Sequence, residues 1–346
     1  MKSRILRFCL VLVCTFFAID ANAQRPVWVV GHACNSHQCL IDALADGGCG
    51  VEIDVHTDEA NKIKDWSVNH GLSFPYVEKY LSSDERKSRN DKQGRSGSTT
   101  EYVSLKQYLR FPEMNRLSIL WLDVKTGEYL VELVQHVHAV LKDVYPDGNI
   151  PYSIIYGAYS VDVLEKPING SSYLAIDWLR DNLYENEGIN LAWEGKDKKQ
   201  MNKMGSGFFK EIEDLMKSHH FPARQHFMTC GYFHSPSVHW NSIETTNILQ
   251  AKQMRSEGRY CSRIGYWTCG WYSDAIWFIE PRWKNIQTEC DLVLVECRNE
   301  FSGPGDKGAL RKLVDYYFTP GGYYYSKYNN YRTRIANQTD VFYRMP

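Results

Sequence analysis

The sequence is short of several features that would declare a function. It has no Cys-x-x-Cys pair, so paired-cysteine zinc sites have no anchor. It has no Gly-x-Ser-x-Gly elbow of the serine hydrolase kind. Gly205-Ser206-Gly207 lacks a preceding strand and a third glycine, which argues against the phosphate turn of a doubly wound sheet. Charge of neither sign dominates: 40 basic residues stand against 41 acidic ones, a formal −1 that offers nothing to nucleic acid. There is no internal repeat, and beyond the N-terminus no apolar run is long enough for a membrane helix.

The N-terminus reads differently. Lys2, Arg4 and Arg7 precede the apolar run Phe8 to Ile19, which exits through Ala21-Asn22-Ala23. That order describes a secretory signal over residues 1–23, too short to span a bilayer and cleaved before Gln24, so the expected location is extracellular. Loss of Lys2, Arg4, Arg7 and Asp20 with it takes the formal charge from −1 to −3. Of ten cysteines, Cys9 and Cys14 leave and Cys34, Cys39, Cys49, Cys230, Cys261, Cys269, Cys290 and Cys297 remain. An even set in a secreted chain favours disulfides, with the connectivity open. Asn169-Gly170-Ser171 and Asn337-Gln338-Thr339 are candidate glycan acceptors.

The body of the chain is dominated by strand-like apolar runs: Val27 to Val30, Val51 to Val55, Leu117 to Val124, Tyr152 to Tyr156, Ile189 to Trp193, Gln225 to Cys230, Arg263 to Cys269 and Asp291 to Cys297. Most are nearly continuous, the pattern of strands buried on both faces. Helical patterns such as Glu128 to Val144 and Ser242 to Glu257 lie between them. The alternation predicts a single-domain (β/α)₈ TIM barrel over residues 24–315. Residues 82–100, SSDERKSRNDKQGRSGSTT, have no apolar member and read as a mobile loop insertion. Residues 316–346 form a tyrosine-rich C-terminal extension, either aromatic cladding on the barrel or a membrane-interface patch.

Chemistry concentrates where such barrels keep their active sites, at the C-terminal ends of the strands. In GCGVEIDVHTD, Glu52 and Asp54 alternate with Val51, Ile53 and Val55, so both carboxylates leave the strand on one face. Two like charges about 5 Å apart repel by ~3 kcal/mol at an effective dielectric of about 20. With Asp123 from LWLDVKTGEY they make a hard oxygen cage for a divalent cation, which Mg²⁺ fits best. The competing reading is an ion pair with Lys125. His32 follows the first strand and His70 stands in Asn69-His70-Gly71, so two imidazoles flank the acidic rim and can divide acid and base work on a phosphodiester. His136 and His138, two apart on a helix, do not share a face. His219, His220, His226, His234 and His239 read as structural or surface residues.

RPVWVVGHACN (25–35), GVEIDVHTD (50–58), NHG (69–71) and LWLDVKTG (120–127) together resemble the sphingomyelinase D family, a secreted branch of the glycerophosphodiester phosphodiesterase barrels. IIYGAY (154–159), HWNSIETTNILQAKQMRSEG (239–258), IGYWTCGW (264–271) and DLVLVECR (291–298) extend the resemblance in order. It implies that His32 and His70 are catalytic, that Glu52, Asp54 and Asp123 bind Mg²⁺, and that Lys125, Trp267 and Tyr266 contact substrate. The sequence departs from the venom enzymes of that family after His70, at Gly270 and in its ending VFYRMP, and these departures bear on headgroup choice.

The resulting expectation is a monomeric phospholipase D acting on sphingomyelin and lysophospholipids at a membrane or lipoprotein surface. Choline or ethanolamine would leave and a cyclic phosphate would form by internal attack. A glycerophosphodiester phosphodiesterase acting on soluble diesters is the sibling alternative, and a non-catalytic lipid-binding barrel is the alternative from another class.

Overall fold

A computed structural model describes residues 25–58, 63–68, 103–125, 129–158, 161–194, 207–231, 253, 257, 263–269, 290–296, 308–322 and 333–340. The strands are β1 (Arg25–His32), β2 (Gly50–Asp58), β3 (Ile63–Val68), β4 (Val103–Ser104), β5 (Ile119–Val124), β6 (Ser153–Ala158), β7 (Glu187–Glu194), β8 (His226–Gly231), β9 (Arg263–Cys269), β10 (Leu292–Glu296) and β11 (Thr333–Ile335). The helices are α1 (His37–Ala45), α2 (Leu105–Tyr108), α3 (Leu130–Val144), α4 (Val161–Leu164), α5 (Ala175–Asn182), α6 (Gly207–Ser218) and α7 (Gly308–Leu313). Parallel pairing runs β1-β2-β5-β6-β7-β8-β9-β10 and returns to β1, closing an eight-stranded TIM barrel. Each barrel strand overlaps one of the apolar runs read from the sequence.

Strand alternation builds two cores. Val27, Val29, Val51, Ile53, Val55, Leu120, Leu122, Val124, Ile154, Tyr156, Val293 and Val295 face outward into one cluster under the helices. Residues one step away, Trp28, Val30, Ile119, Trp121, Ile155, Phe227, Leu292 and Leu294, fill the barrel interior. On β1, β5, β6, β8 and β10 both faces therefore carry apolar residues, which is why those runs read as nearly continuous. Glycines fit the interior aromatics: a Cβ at Gly265 would stand 2.7 Å from Phe227 Cζ. The Phe227 ring meets Trp121 edge-on at 5.8 Å.

The helices clad the outer core by their spacing. In α3, Leu130, Leu133, Val134, Val137 and Leu141 are buried, a 3.6-residue stripe, which matches the helix expected over Glu128 to Val144. Helix α1 starts where Ser36 accepts from Cys39 N at 3.2 Å, and α2 opens with a Ser104–Gln107 capping box.

Three strands lie outside the expected set. The C-terminal end of β2 continues into an antiparallel β2-β3-β4 ribbon, pairing Val55 with Val68. At the barrel's N-terminal end β11 pairs parallel with β1, and Ala336 packs into the interior cluster with Trp28. Residues 333–340 thus cover the bottom of the barrel. Arg334 Nη2 donates to Asp340 Oδ1 at 2.6 Å and Gln338 Nε2 to Leu117 O at 3.1 Å. Residues 1–23, the segment 82–100 and most of the Ser242 to Glu257 pattern lie outside the described residues. Among those that are described, no helix is long and apolar enough to cross a membrane.

Candidate active site

Glu52 and Asp54 face the interior because Val51, Ile53 and Val55 take the outer face of β2. Asp123 stands in register with Asp54 on the neighbouring strand β5. All three are buried, and one carboxylate oxygen from each lies within 4.8 Å of the others. Lys125, just past the end of β5, puts Nζ 2.6 Å from Asp54 Oδ1 and also bonds Asp123. His32, the last residue of β1, places Nε2 3.9 Å from Glu52 Oε2. The group sits at the C-terminal mouth, where the strand ends predict it.

The turn after β1 is laced to β2. Ala33 N donates to Glu52 Oε2 at 2.5 Å and Cys34 N to Glu52 O at 2.8 Å. Asn35 clamps Asp54 from both sides: Nδ2 donates to Asp54 Oδ2 at 2.6 Å, while Asp54 N donates to Asn35 Oδ1 at 2.8 Å. Tyr108 OH from α2 ties the turn down through Cys34 O at 2.7 Å. Ala33 holds φ +50°, a left-handed conformation unfavourable for alanine, and the bonds on either side of it hold it there. The carboxylates are thus oriented before any ligand arrives.

Charge in this cluster is unbalanced. Burial, then Asp54, push the Glu52 carboxyl up to about 8, although His32 and Lys125 act against the shift and Asp123 adds to it. Three carboxylates converge on one ammonium and one imidazole, so the lysine ion pair stands within a carboxylate group that could also hold a metal ion. Lys125 answers Asp54 and Asp123 but leaves Glu52 short of positive charge. Hard oxygen donors at this spacing fit a divalent cation, so the triad can hold a metal ion.

The other expected site residues fall as follows. His70 lies outside the described residues. Position 267 is at the C-terminal end of β9, in register with Gly231, and only its backbone is described. Tyr266 corrects an expectation. It is buried in the outer cluster beneath the helices, because Gly265 occupies the interior phase, so it does not line a substrate site inside the barrel. His138 bonds Glu187 and His219 bonds Asp177, both structural contacts away from the mouth. Cys49 corrects the paired-cysteine expectation. It is a buried thiol in no disulfide, donating to Val29 O and accepting from Val29 N at 3.2 Å, and burial pushes its pKa up to about 12. Sequence reasoning missed Asn35 and Tyr108, whose roles depend on contacts across the fold. The one legible signal was an amide standing three residues after His32.

No protein-family model and no curated protein matches the chain.

Proposed function

We propose that this chain is a secreted phosphodiesterase of the phospholipase D type, cleaving headgroups from sphingomyelin and lysophospholipids at a lipid surface. The observation behind this reading is the buried Glu52–Asp54–Asp123 group beside His32 at the mouth of a closed barrel. Mg²⁺ is the ion best suited to three carboxylates and a phosphodiester, and when bound it supplies positive charge to the phosphate oxygens. Lys125 adds a second positive contact for the same oxygens. His32 is positioned to move a proton at the mouth, and His70 is its proposed partner on the resemblance of its motif.

In this reading the lipid's own free hydroxyl attacks. One imidazole takes its proton as the new P–O bond forms, the bond to the headgroup oxygen breaks, and the other imidazole protonates the departing alcohol. A tethered hydroxyl competes with water at effective molarities that reach ~10⁵ M, so the first product is a cyclic phosphate. The signal segment and its extracellular consequence rest on residues 1–23 alone.

A headgroup-release panel over sphingomyelin, ceramide phosphoethanolamine, lysophosphatidylcholine and glycerophosphocholine tests the reading, with phosphorus NMR on early time points. Release from the lipids with a cyclic phosphate is expected. Turnover of glycerophosphocholine alone would make the chain a soluble-diester enzyme, and turnover of none would remove the catalytic reading.

A further inference from the structure

We infer that Asn190 and Thr229 form a hydrogen-bonding subsite on the barrel floor beneath the acidic triad, built for ligand hydroxyls that both donate and accept. The inference rests on the phosphodiesterase reading and names the chemistry that the same site recognises.

Their placement follows from alternation. On β7, Ile189 and Leu191 lie in the outer cluster, so Asn190 between them faces the interior, in register with Gly157 on one side and Phe227 on the other. On β8, Met228 takes the outer face and Thr229 the inner, its methyl 2.7 Å from where a Cβ on Gly265 would stand. Interior residues of such a barrel stack in layers drawn from alternate strands. The registers put Val30, Trp121, Asn190 and Gly265 in one layer and Glu52, Gly157, Thr229 and Leu294 in the next toward the mouth. Thr229 therefore shares the layer of Glu52, from the opposite side of the barrel, and Asn190 lies one step below. His32 and Asp123 form the layer above, about 3.3 Å further along the strands.

These are costly residues for that position. Asn190 is 0% and Thr229 2% exposed, and among the described residues no group hydrogen-bonds Asn190 Nδ2, Asn190 Oδ1 or Thr229 Oγ1. Buried polar groups without partners destabilise more than a made hydrogen bond stabilises, and the neighbouring Trp121, Phe227 and Ile155 would accept Leu or Val there. A chain selected only to fold has no use for them; a site that recognises a polar ligand end does.

The donor and acceptor inventory selects the ligand. Asn190 offers one donor end and one acceptor end, and Thr229 a hydroxyl that does both. A hydroxyl matches all three, a primary ammonium leaves the amide N–H unanswered, and a quaternary ammonium answers none. The hydroxyl comes from one of two sources: a glycerol-type headgroup, or the free hydroxyl of the lipid backbone that attacks phosphorus.

Asn190→Leu and Thr229→Val keep shape and remove the polar atoms. Both variants are expected to melt above the wild type, because orphaned groups are gone. Activity on lysophosphatidylglycerol and lysophosphatidylcholine separates the sources. A fall of about 10-fold or more in kcat/KM confined to the glycerol headgroup assigns the subsite to the headgroup, and a fall on both assigns it to the backbone hydroxyl. Unchanged kcat/KM on both, or variants that melt below the wild type, overturns the proposal. Calorimetry with glycerol 3-phosphate gives a readout free of turnover, with binding to the wild type expected to be at least about 10-fold tighter than to the double variant. Equal binding refutes the subsite even if the enzyme is active. Tighter wild-type binding without turnover of any diester keeps the subsite and refutes the phosphodiesterase reading instead.

Discussion

Glu52 on β2 and Glu187 on β7 are both buried glutamates on strands of one barrel, yet their surroundings differ in kind. Glu187, at the start of its strand, accepts from His138 Nε2 at 2.7 Å, Tyr156 OH at 2.8 Å and Tyr184 N at 2.8 Å. His138 also stacks on Tyr184, 4.1 Å between ring centroids. Glu52, near the opposite end, has Ala33 N and a more distant His32, with Asp54 and Asp123 as neighbours. The bottom of the barrel satisfies its buried charge with donors, and residues 333–340 cover it. The top concentrates negative charge, and among the described residues nothing answers the polar atoms of Asn190 and Thr229 below it. One end answers its buried charge within the fold, and the other gathers three carboxylates that could hold a metal ion.

Charge removal at the two glutamates gives the largest contrast. Glu52→Gln is expected to cut headgroup release by ~10²-fold or more, without lowering the melting temperature in chelator. Glu187→Gln is expected to cost ~3 to 5 kcal/mol in urea unfolding, because it breaks a buried charged network, and to leave turnover per folded molecule intact. Equal destabilisation by both changes would erase the distinction between the two ends.

Histidines sharpen the same contrast at smaller size. His32→Ala should slow the reaction by ~10²-fold at an unchanged melting temperature. His138→Ala should leave the rate alone and lower stability by ~1 to 3 kcal/mol, since Glu187 loses a donor. Kinetics and thermal melts on the two variants, run side by side, decide it.

The pH dependence of stability follows from Glu52. Its folded pKa of about 8 lies above the ordinary 4.5, so between these values the native state holds a proton that the unfolded chain has released. In chelator, stability should therefore fall as pH rises from about 4.5 to about 8, and a saturating divalent cation should flatten that slope. A flat profile in chelator would mean that Glu52 is already balanced by its neighbours. The smallest effect concerns Cys49: a thiol with a pKa of about 12 stays protonated, so it should resist maleimide at pH 8 until urea unfolds the protein.

The barrel was legible because most of its strands are apolar on both faces, a pattern that little else produces over so many short runs. The β2-β3-β4 ribbon and β11 were not, since IKDWSV mixes charge into a short strand and TRI is too short to show a period. Glu52, Asp54 and Asp123 were legible as a group because two carboxylates at strand spacing must share a face. Lys125 was visible as a neighbour, but its position between Asp54 and Asp123 is a property of the packed barrel. Tyr266 misled because adjacent strand residues point to opposite sides, and proximity in sequence to position 267 carries no information about which side. Asn190 stood in view as the one polar residue within Ile189 to Trp193.

Glu52, Asp54 and Asp123 are expected to hold a divalent cation, and calorimetric titration of the metal-stripped protein with Mg²⁺ tests this. The wild type should bind one ion per chain, and Asp54→Asn, still folded by circular dichroism, should lose that binding. Absence of Mg²⁺ binding in the folded wild type, or undiminished binding in the variant, would contradict the account.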